Sequence, residues 1–201
     1  RFSLFNPPSE LYTFDAKTKD STVIQTPQNL KYGIALLDSL AFFTDPSTLL
    51  VLDKNQKWHQ FSLSLPNPEF IVDGMSVLGN NLYFFSSKTG EILKYANPLS
   101  GNLTPVSWIA ATSSQKPVGA KSMAIDGNVW IVTENEIQRY FKGNYEESIQ
   151  PAIFPALRNA ARIKTSASLA HLYVLDPSEK RIIIFTKFGD LVKQYRRPLF
   201  S

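Results

Sequence analysis

The sequence predicts an all-β fold of repeated antiparallel sheets, and three observations carry that expectation. A strand-and-turn phrase recurs at Leu11–Asp15, Leu49–Asp53, Glu91–Tyr95, Glu136–Tyr140 and Arg181–Phe185, and its bulky anchors Phe14, Leu52, Tyr95, Tyr140 and Phe185 lie 38, 43, 45 and 45 residues apart. Within each period, several short apolar runs are separated by tight-turn residues, as in an antiparallel meander. No segment has a convincing amphipathic-helix pattern. A period of about 40–45 residues with several strands per repeat is the signature of propeller blades. The expectation is a β-propeller of four-stranded antiparallel blades with about five visible, at approximately 1–27, 33–66, 72–111, 120–151 and 162–196, in one domain spanning 1–201.

Each blade is read as an inner strand a followed by b, c and d. The first has only b at Phe2–Phe5, c at Leu11–Phe14 and d at Thr22–Gln25. The second runs Ile34–Leu37, Leu40–Thr44, Leu49–Leu52 and Trp58–Leu63. The third runs Met75–Leu78, Leu82–Phe85, Glu91–Tyr95 and Val106–Ala110, with a long loop over Pro98–Pro105. The fourth runs Ser122–Ile125, Val129–Thr133, Glu136–Phe141 and Tyr145–Gln150. The fifth has a at Lys164–Ala167 and completes the clearest repeat with Leu172–Leu175, Arg181–Phe185 and Leu191–Tyr195. Strands b and c are continuous apolar runs such as Leu40-Ala41-Phe42-Phe43, which suit burial on both faces. The inner strands carry small residues, among them Gly33, Gly74, Ser122 and Ala124, as the crowded centre of a propeller requires. Strand d alternates, with Trp58, Gln60 and Ser62 against His59, Phe61 and Leu63, like a half-wet outer strand.

One turn of helix is expected at Pro155–Ile163, where Pro155 suits a first helical position. The first blade lacks strand a, and the sequence stops at Pro198-Leu199-Phe200-Ser201. Two accounts stay open: a C-terminal inner strand completes the first blade and protects its edges, or the chain is an excerpt of a larger ring, such as a six-bladed one. Four residues after a proline make a poor closing strand, which favours the excerpt.

With 43% apolar and 12% aromatic residues, the 201-residue chain can bury a sizeable core. It has no apolar run near the roughly 18 residues of a membrane span and no signal-peptide pattern. It opens on Arg1 rather than Met, as a piece of a longer protein would. Cysteine is absent, which excludes disulfides, thiolate catalysis and cysteine-bound metal. Asn102-Leu103-Thr104 fits the permissive glycosylation pattern. The net charge of +4 is uneven, with nine Lys and Arg against three Asp and Glu from Arg158 onward. That basic third suits either an anionic partner or a solvated face.

The phrase Ser122-Met123-Ala124-Ile125-Asp126-Gly127-Asn128-Val129-Trp130-Ile131-Val132 resembles the inner half of an NHL-type repeat. Leu172–Asp176 with Arg181–Phe185 and Gly189 resembles its outer half. The second blade departs from the pattern, with Leu36-Leu37-Asp38-Ser39 where Asp-Gly-Asn would stand. The resemblance implies an NHL/YWTD-like propeller over the whole chain and no particular activity, since such propellers serve many functions. The fifth blade also resembles C-terminal propellers of membrane-anchored, phosphatase-2C-like bacterial proteins. That second resemblance implies an extracytoplasmic domain.

Catalytic and metal constellations are thin. The histidines His59 and His171 fall in different blades without ligand spacing, which argues against a histidine metal cluster and against a Ser/His/Asp triad. The pairs Glu134/Glu136 and Glu146/Glu147 lie at turns, where solvated charge is the usual explanation. The nine glycines stand singly, with no phosphate-cradling loop. Propeller ligands usually sit where the d–a and b–c loops converge. The candidate binding residues there are Lys88, Lys121, Asp176, Lys180 and Arg181. Asp45-Pro46-Ser47 and Asp176-Pro177-Ser178 also fit type I turns. Nucleic acid is disfavoured because the aromatics read as core rather than as a stacking platform. The expected function is a non-catalytic binding or scaffold module of a larger protein, with a protein or polymeric partner, no cofactor and no catalytic residue. The alternative is a propeller hydrolase or lactonase with a divalent cation held by Asp73, Asp126 and Asn128.

Overall fold

A computed structural model describes residues 2–6, 10–14, 21–26, 30–44, 47–101 and 103–196, with side chains described from residue 23 onward. Outside the described residues lie the turn at Ala16–Lys19, the Asp45-Pro46 pair, Asn102 of the acceptor pattern and the closing Pro198–Ser201. The side chain of the anchor Phe14 lies outside them too.

The chain divides into two compact units, Arg1–Ser64 and Leu65–Ser201. The first holds a three-stranded sheet, β1 (Phe2–Asn6), β2 (Glu10–Phe14) and β3 (Ser21–Gln25). It also holds a four-stranded sheet of β4 (Tyr32–Leu36), β5 (Ser39–Thr44), β6 (Thr48–Leu52) and β7 (Trp58–Ser62). The second unit holds three four-stranded sheets. They are β8 (Gly74–Leu78), β9 (Asn81–Ser86), β10 (Glu91–Ala96) and β11 (Val106–Ser107); β12 (Ser122–Ile125), β13 (Asn128–Val132), β14 (Ile137–Phe141) and β15 (Asn144–Ile149); and β16 (Arg162–Lys164), β17 (His171–Asp176), β18 (Arg181–Thr186) and β19 (Leu191–Arg196). Within each sheet, consecutive strands pair antiparallel, and each sheet is one blade. The only helical turn among the described residues is the 3₁₀ turn Pro98–Ser100.

The apolar runs of the second blade's b and c strands and the third blade's b strand are buried on both faces: Ala41–Phe43, Leu49–Leu52 and Leu82–Phe85 are all buried. Each such Leu, Val or Phe contributes about 1.5–3 kcal/mol by leaving water. The inner strands accommodate this bulk with glycine. Gly33 pairs with Phe42 and Gly74 with Phe85, and a Cβ on either would stand 2.8 Å or 2.6 Å from the opposing ring. In the first unit, Leu30, Phe42, Leu50 and Leu52 form the core, with Ile24, Leu40 and Trp58 packed against it. The Trp58 indole N–H donates to the Gln25 carbonyl at 3.2 Å, tying the two sheets of that unit together.

In the second unit, blades meet by one rule. Tyr83, Phe85 and Ile92 of the third blade pack on Val129, Ile131 and Tyr140 of the fourth. Trp130, Val132 and Ile137 of the fourth pack on Leu172, Val174 and Phe185 of the fifth. The third and fifth residues of strand b face forward with an isoleucine of strand c. The second and fourth face back with the anchor.

Three expectations are corrected. The inner strand of the fifth blade lies at Arg162–Lys164, not Lys164–Ala167, because the buried Ile163 pairs with Val174 and Thr165 turns to donate its hydroxyl to the His171 carbonyl at 2.9 Å. No helical turn forms at Pro155–Ile163. The carbonyls of Pro155 and Ala156 accept instead from the Arg181 guanidinium at 2.7 and 3.2 Å, while Leu157 and Ala160 are drawn into the core. The outer strand of the third blade stops at Ser107. Trp108 N–H still donates to Ile92, but Ala110 N–H switches to the Gly143 carbonyl of the next blade at 2.9 Å.

Candidate functional site

The d–a connections and b–c loops of the second unit form one continuous surface. Gly119 N–H donates to the Ser87 carbonyl at 2.8 Å, Ala160 N–H to the Glu134 carbonyl at 3.1 Å, and Arg162 Nη1 to the Lys121 carbonyl at 3.3 Å. Asp73 fastens the third blade's loop by accepting from the Ser87 amide at 2.7 Å and its hydroxyl at 2.6 Å. Exposed charges of both signs stand along this face. Lys88 Nζ lies 3.7 Å from Glu69, Lys121 Nζ 3.5 Å from Glu134, and Arg196 3.8 Å from Glu179. Exposed pairs of this kind add little stability. Lys180 is exposed with left-handed backbone, φ 48°, at the tip of the fifth blade's loop.

The structure therefore separates the five candidate residues. Lys88 and Lys180 stand exposed on the b–c loops of the third and fifth blades, and Lys121 stands exposed directly before the fourth blade's inner strand. Asp176 and Arg181, both with side chains 0% exposed, face each other inside the fifth blade, 2.9 Å apart. They are cross-strand partners flanking the Pro177-Ser178 turn, so each is engaged by the other and by the turn. Burial works to raise the Asp176 carboxyl. Hydrogen bonds from Ser178 and Arg181, with the guanidinium charge, overcome that and hold it below its ordinary value. The glutamates that flank the exposed lysines have no signal in the sequence. Glu134 reads there only as half of a carboxylate pair, and Glu69 and Glu179 carry no motif.

The remaining chemistry-bearing residues are apart. Asp73 immediately precedes inner strand β8 and Asp126 immediately follows inner strand β12, so they mark opposite ends of their strands. Asp126 accepts from the Asn128 amide at 3.0 Å and the Trp130 indole at 2.9 Å, and it pairs with Lys187 at 2.6 Å. Among the described residues, no three His, Asp or Glu side chains gather as a metal site would need. His59 contacts Asp53 at 2.9 Å on an outer strand, and that hydrogen bond first of all holds the Asp53 carboxyl low. Glu136 accepts from Gln138 at 2.7 Å and Glu147 from Arg139 at 2.8 Å, so each is tied within its own blade. Among the described residues, no helix is long and apolar enough to cross a membrane.

No family model and no curated protein sequence matches the chain. Solved structures match it in fold. The chain is similar to virginiamycin B lyase from Staphylococcus aureus, with a TM-score of 0.61 and 14% identity over 94% of this chain and 64% of the lyase. A chain of the nidogen/laminin complex matches with a TM-score of 0.65 and 10% identity over 94% of this chain and 72% of that one. PorZ, an essential bacterial surface component of the type-IX secretion system of Porphyromonas gingivalis, matches with 0.56 and 17% over 95% and 24%. The chain is a β-propeller of antiparallel blades, and it spans about 64% of the length of the lyase.

Proposed function

We propose that the chain is a non-catalytic binding module of a larger protein and that it recognises a protein partner through the loop face of its second unit. The observation that carries this reading is the run of exposed, weakly paired charges of both signs, with Lys88, Lys121 and Lys180 on three successive blades. Charges so arranged steer and register a protein surface of complementary pattern. The nidogen/laminin complex, which joins two proteins, supports the reading; the lyase shares the fold and is an enzyme, so fold alone does not choose. We assign the repeat to the NHL type on the Asp126-Gly127-Asn128 turn, whose first residue fastens both the turn and Trp130.

The test is capture of partners from extracts of the source cells by the immobilised chain and by the triple variant Lys88→Glu, Lys121→Glu, Lys180→Glu. The variant loses the captured partner while its melting temperature stays within about 3 °C of the parent's. Equal capture by both proteins overturns the loop face as the site. A saturable calorimetric response to calcium ions together with calcium-dependent hydrolysis of a model lactone overturns the non-catalytic reading in favour of a cation-dependent hydrolase, whereas calcium binding without hydrolysis marks a calcium-braced propeller.

A further inference from the structure

The turn between β18 and β19 repeats one built in the first unit, with one exchange. Asp53 N–H donates to the Lys57 carbonyl and Gln56 N–H to Asp53, just as Thr186 N–H donates to Asp190 and Gly189 N–H to Thr186. Asp53 Oδ1 accepts from the amides of Asn55 and Lys57, as Thr186 Oγ1 accepts from those of Phe188 and Asp190. Asn55 and Phe188 therefore occupy the same place in the same turn, and both are exposed. A polar residue meets this geometry in one blade, so the turn itself does not call for a phenylalanine in the other.

Two more apolar side chains stand beside it. Strand pairing slips by one residue in the fifth blade at Val192 and in the fourth at Glu146. Both bulged residues are exposed, and Glu146 is so although a further blade follows its own. Leu191 stands where Tyr145 packs into the joint with the third blade, yet it is 44% exposed, with Phe188 at 88% and Val192 at 48%. Lys187 and Lys193 flank this hairpin end, and from Thr186 to Arg196 three basic residues face one acid, Asp190. The c–d turn of the fourth blade adds an exposed Phe141 with Lys142 Nζ 5.3 Å from its ring centroid. The two turns are seated alike, Gly143 against Ala110 of the third blade and Gly189 against Ile149 of the fourth. They lie at the opposite end of the c strands from the b–c loops, apart from the loop face.

The three side chains of the fifth blade's turn offer on the order of 300 Å² of apolar surface. A stable protein interface needs roughly 800 Å² from each partner. Apolar groups at the tip of a turn, with lysines beside them, suit a bilayer instead: the tip enters the headgroup boundary and the ammonium groups stay at its anionic level. We propose that the c–d turns of the fourth and fifth blades form a peripheral docking surface for an anionic phospholipid bilayer, with Phe188, Leu191 and Val192 inserted.

The chain has no cysteine, so a single introduced one can carry a fluorophore that reports its surroundings. Val192→Cys and, on the loop face, Lys88→Cys are labelled and mixed with vesicles of phosphatidylglycerol and phosphatidylcholine in equal parts. The label at 192 is expected to shift to the blue, and the label at 88 to stay unmoved. In sedimentation with the same vesicles, Phe188→Ala is expected to bind about tenfold more weakly than the parent, because affinity follows the apolar area inserted. Phe154→Ala removes an equally exposed ring from the connection into the fifth blade and binds as the parent does. Absence of vesicle binding overturns the proposal, as does an unshifted label at 192 or equal binding by Phe188→Ala and the parent. Equal binding to phosphatidylcholine alone overturns the part given to the lysines. A protein partner lost on Phe188→Ala, with no vesicle binding by the parent, gives the turn to a protein and overturns the bilayer.

Discussion

Arg181 spends its guanidinium on five acceptor contacts. It donates to Asp176 Oδ2 from Nε at 3.0 Å and Nη2 at 2.9 Å, to Gln194 at 2.8 Å, and to the carbonyls of Pro155 and Ala156. A buried pair is a poor source of net stability, but removing one partner leaves the other charged and orphaned, at a cost of about 3–5 kcal/mol. Arg181→Met should therefore lower the urea midpoint of the chain by a loss of that size, and a loss below about 1 kcal/mol would show that the pair is not desolvated in solution. The same pair gives the chain a pH dependence. The Asp176 carboxyl is held below its unfolded value, so its stabilisation is complete above the ordinary carboxyl pKa of about 3.9 and is lost as pH falls from there through the lower value of the folded state. Urea midpoints measured from pH 6 down to pH 2 should fall more steeply for the parent than for Asp176→Asn. Parallel curves would remove Asp176 from the acid response. In the sequence, Asp176 and Arg181 look like loop charges. Their interior position follows from cross-strand register plus two carbonyls contributed from about 25 residues away, and neither is visible in local pattern.

The strands that are plain in the sequence are those whose burial is written in their own residues. Strands β5, β6, β9, β13, β17 and β18 are apolar runs bounded by turn residues, and the structure places them within one or two residues of expectation. What is illegible there depends on distant partners, as with β16, which follows the buried Ile163, and the 155–163 segment, whose carbonyls belong to Arg181. The exposure of Lys88, Lys121 and Lys180 is legible, since lysines outside the strands need no tertiary context to reach water. The turn between β18 and β19 shows how an element carries its neighbour. Gly189 has φ 91°, and a Cβ there would overlap Ile149 of the preceding blade. Gly189→Ala should destabilise the chain by about 1–3 kcal/mol through overpacking and left-handed strain. Ile149→Ala in the same molecule should recover part of that loss in a double-mutant cycle; strictly additive losses would mean that strain alone is responsible. Lys187 in this turn holds the nearly buried Asp126, so Lys187→Met should also loosen the fourth blade's Trp130, detectable as a red shift of its fluorescence.

Across the second unit, the repeat acts as a rule for surfaces: what a residue does depends on whether a blade stands in front of it. Ile92, Ile137 and Ile182 occupy the same place in three successive c strands. Ile92 and Ile137 are 0% exposed because the next blade covers them, whereas Ile182 is 46% exposed. Its companions follow the same code, for Tyr173 and Leu175 stand where Trp130 and Val132 stand one blade earlier, and Leu175 is 39% exposed. Nearest-neighbour packing of this kind makes stability a sum of blade and interface terms, so one substitution should have opposite effects at equivalent positions. Ile137→Lys buries an unpaired ammonium between two blades and should cost about 4 kcal/mol or more. Ile182→Lys places the same group on an open sheet face and should stay within about 1 kcal/mol of the parent. Urea titrations of the two variants decide it. Equal losses would mean that the fifth blade's outward face is covered in solution, and that the interface rule extends one blade further than the exposed isoleucine indicates.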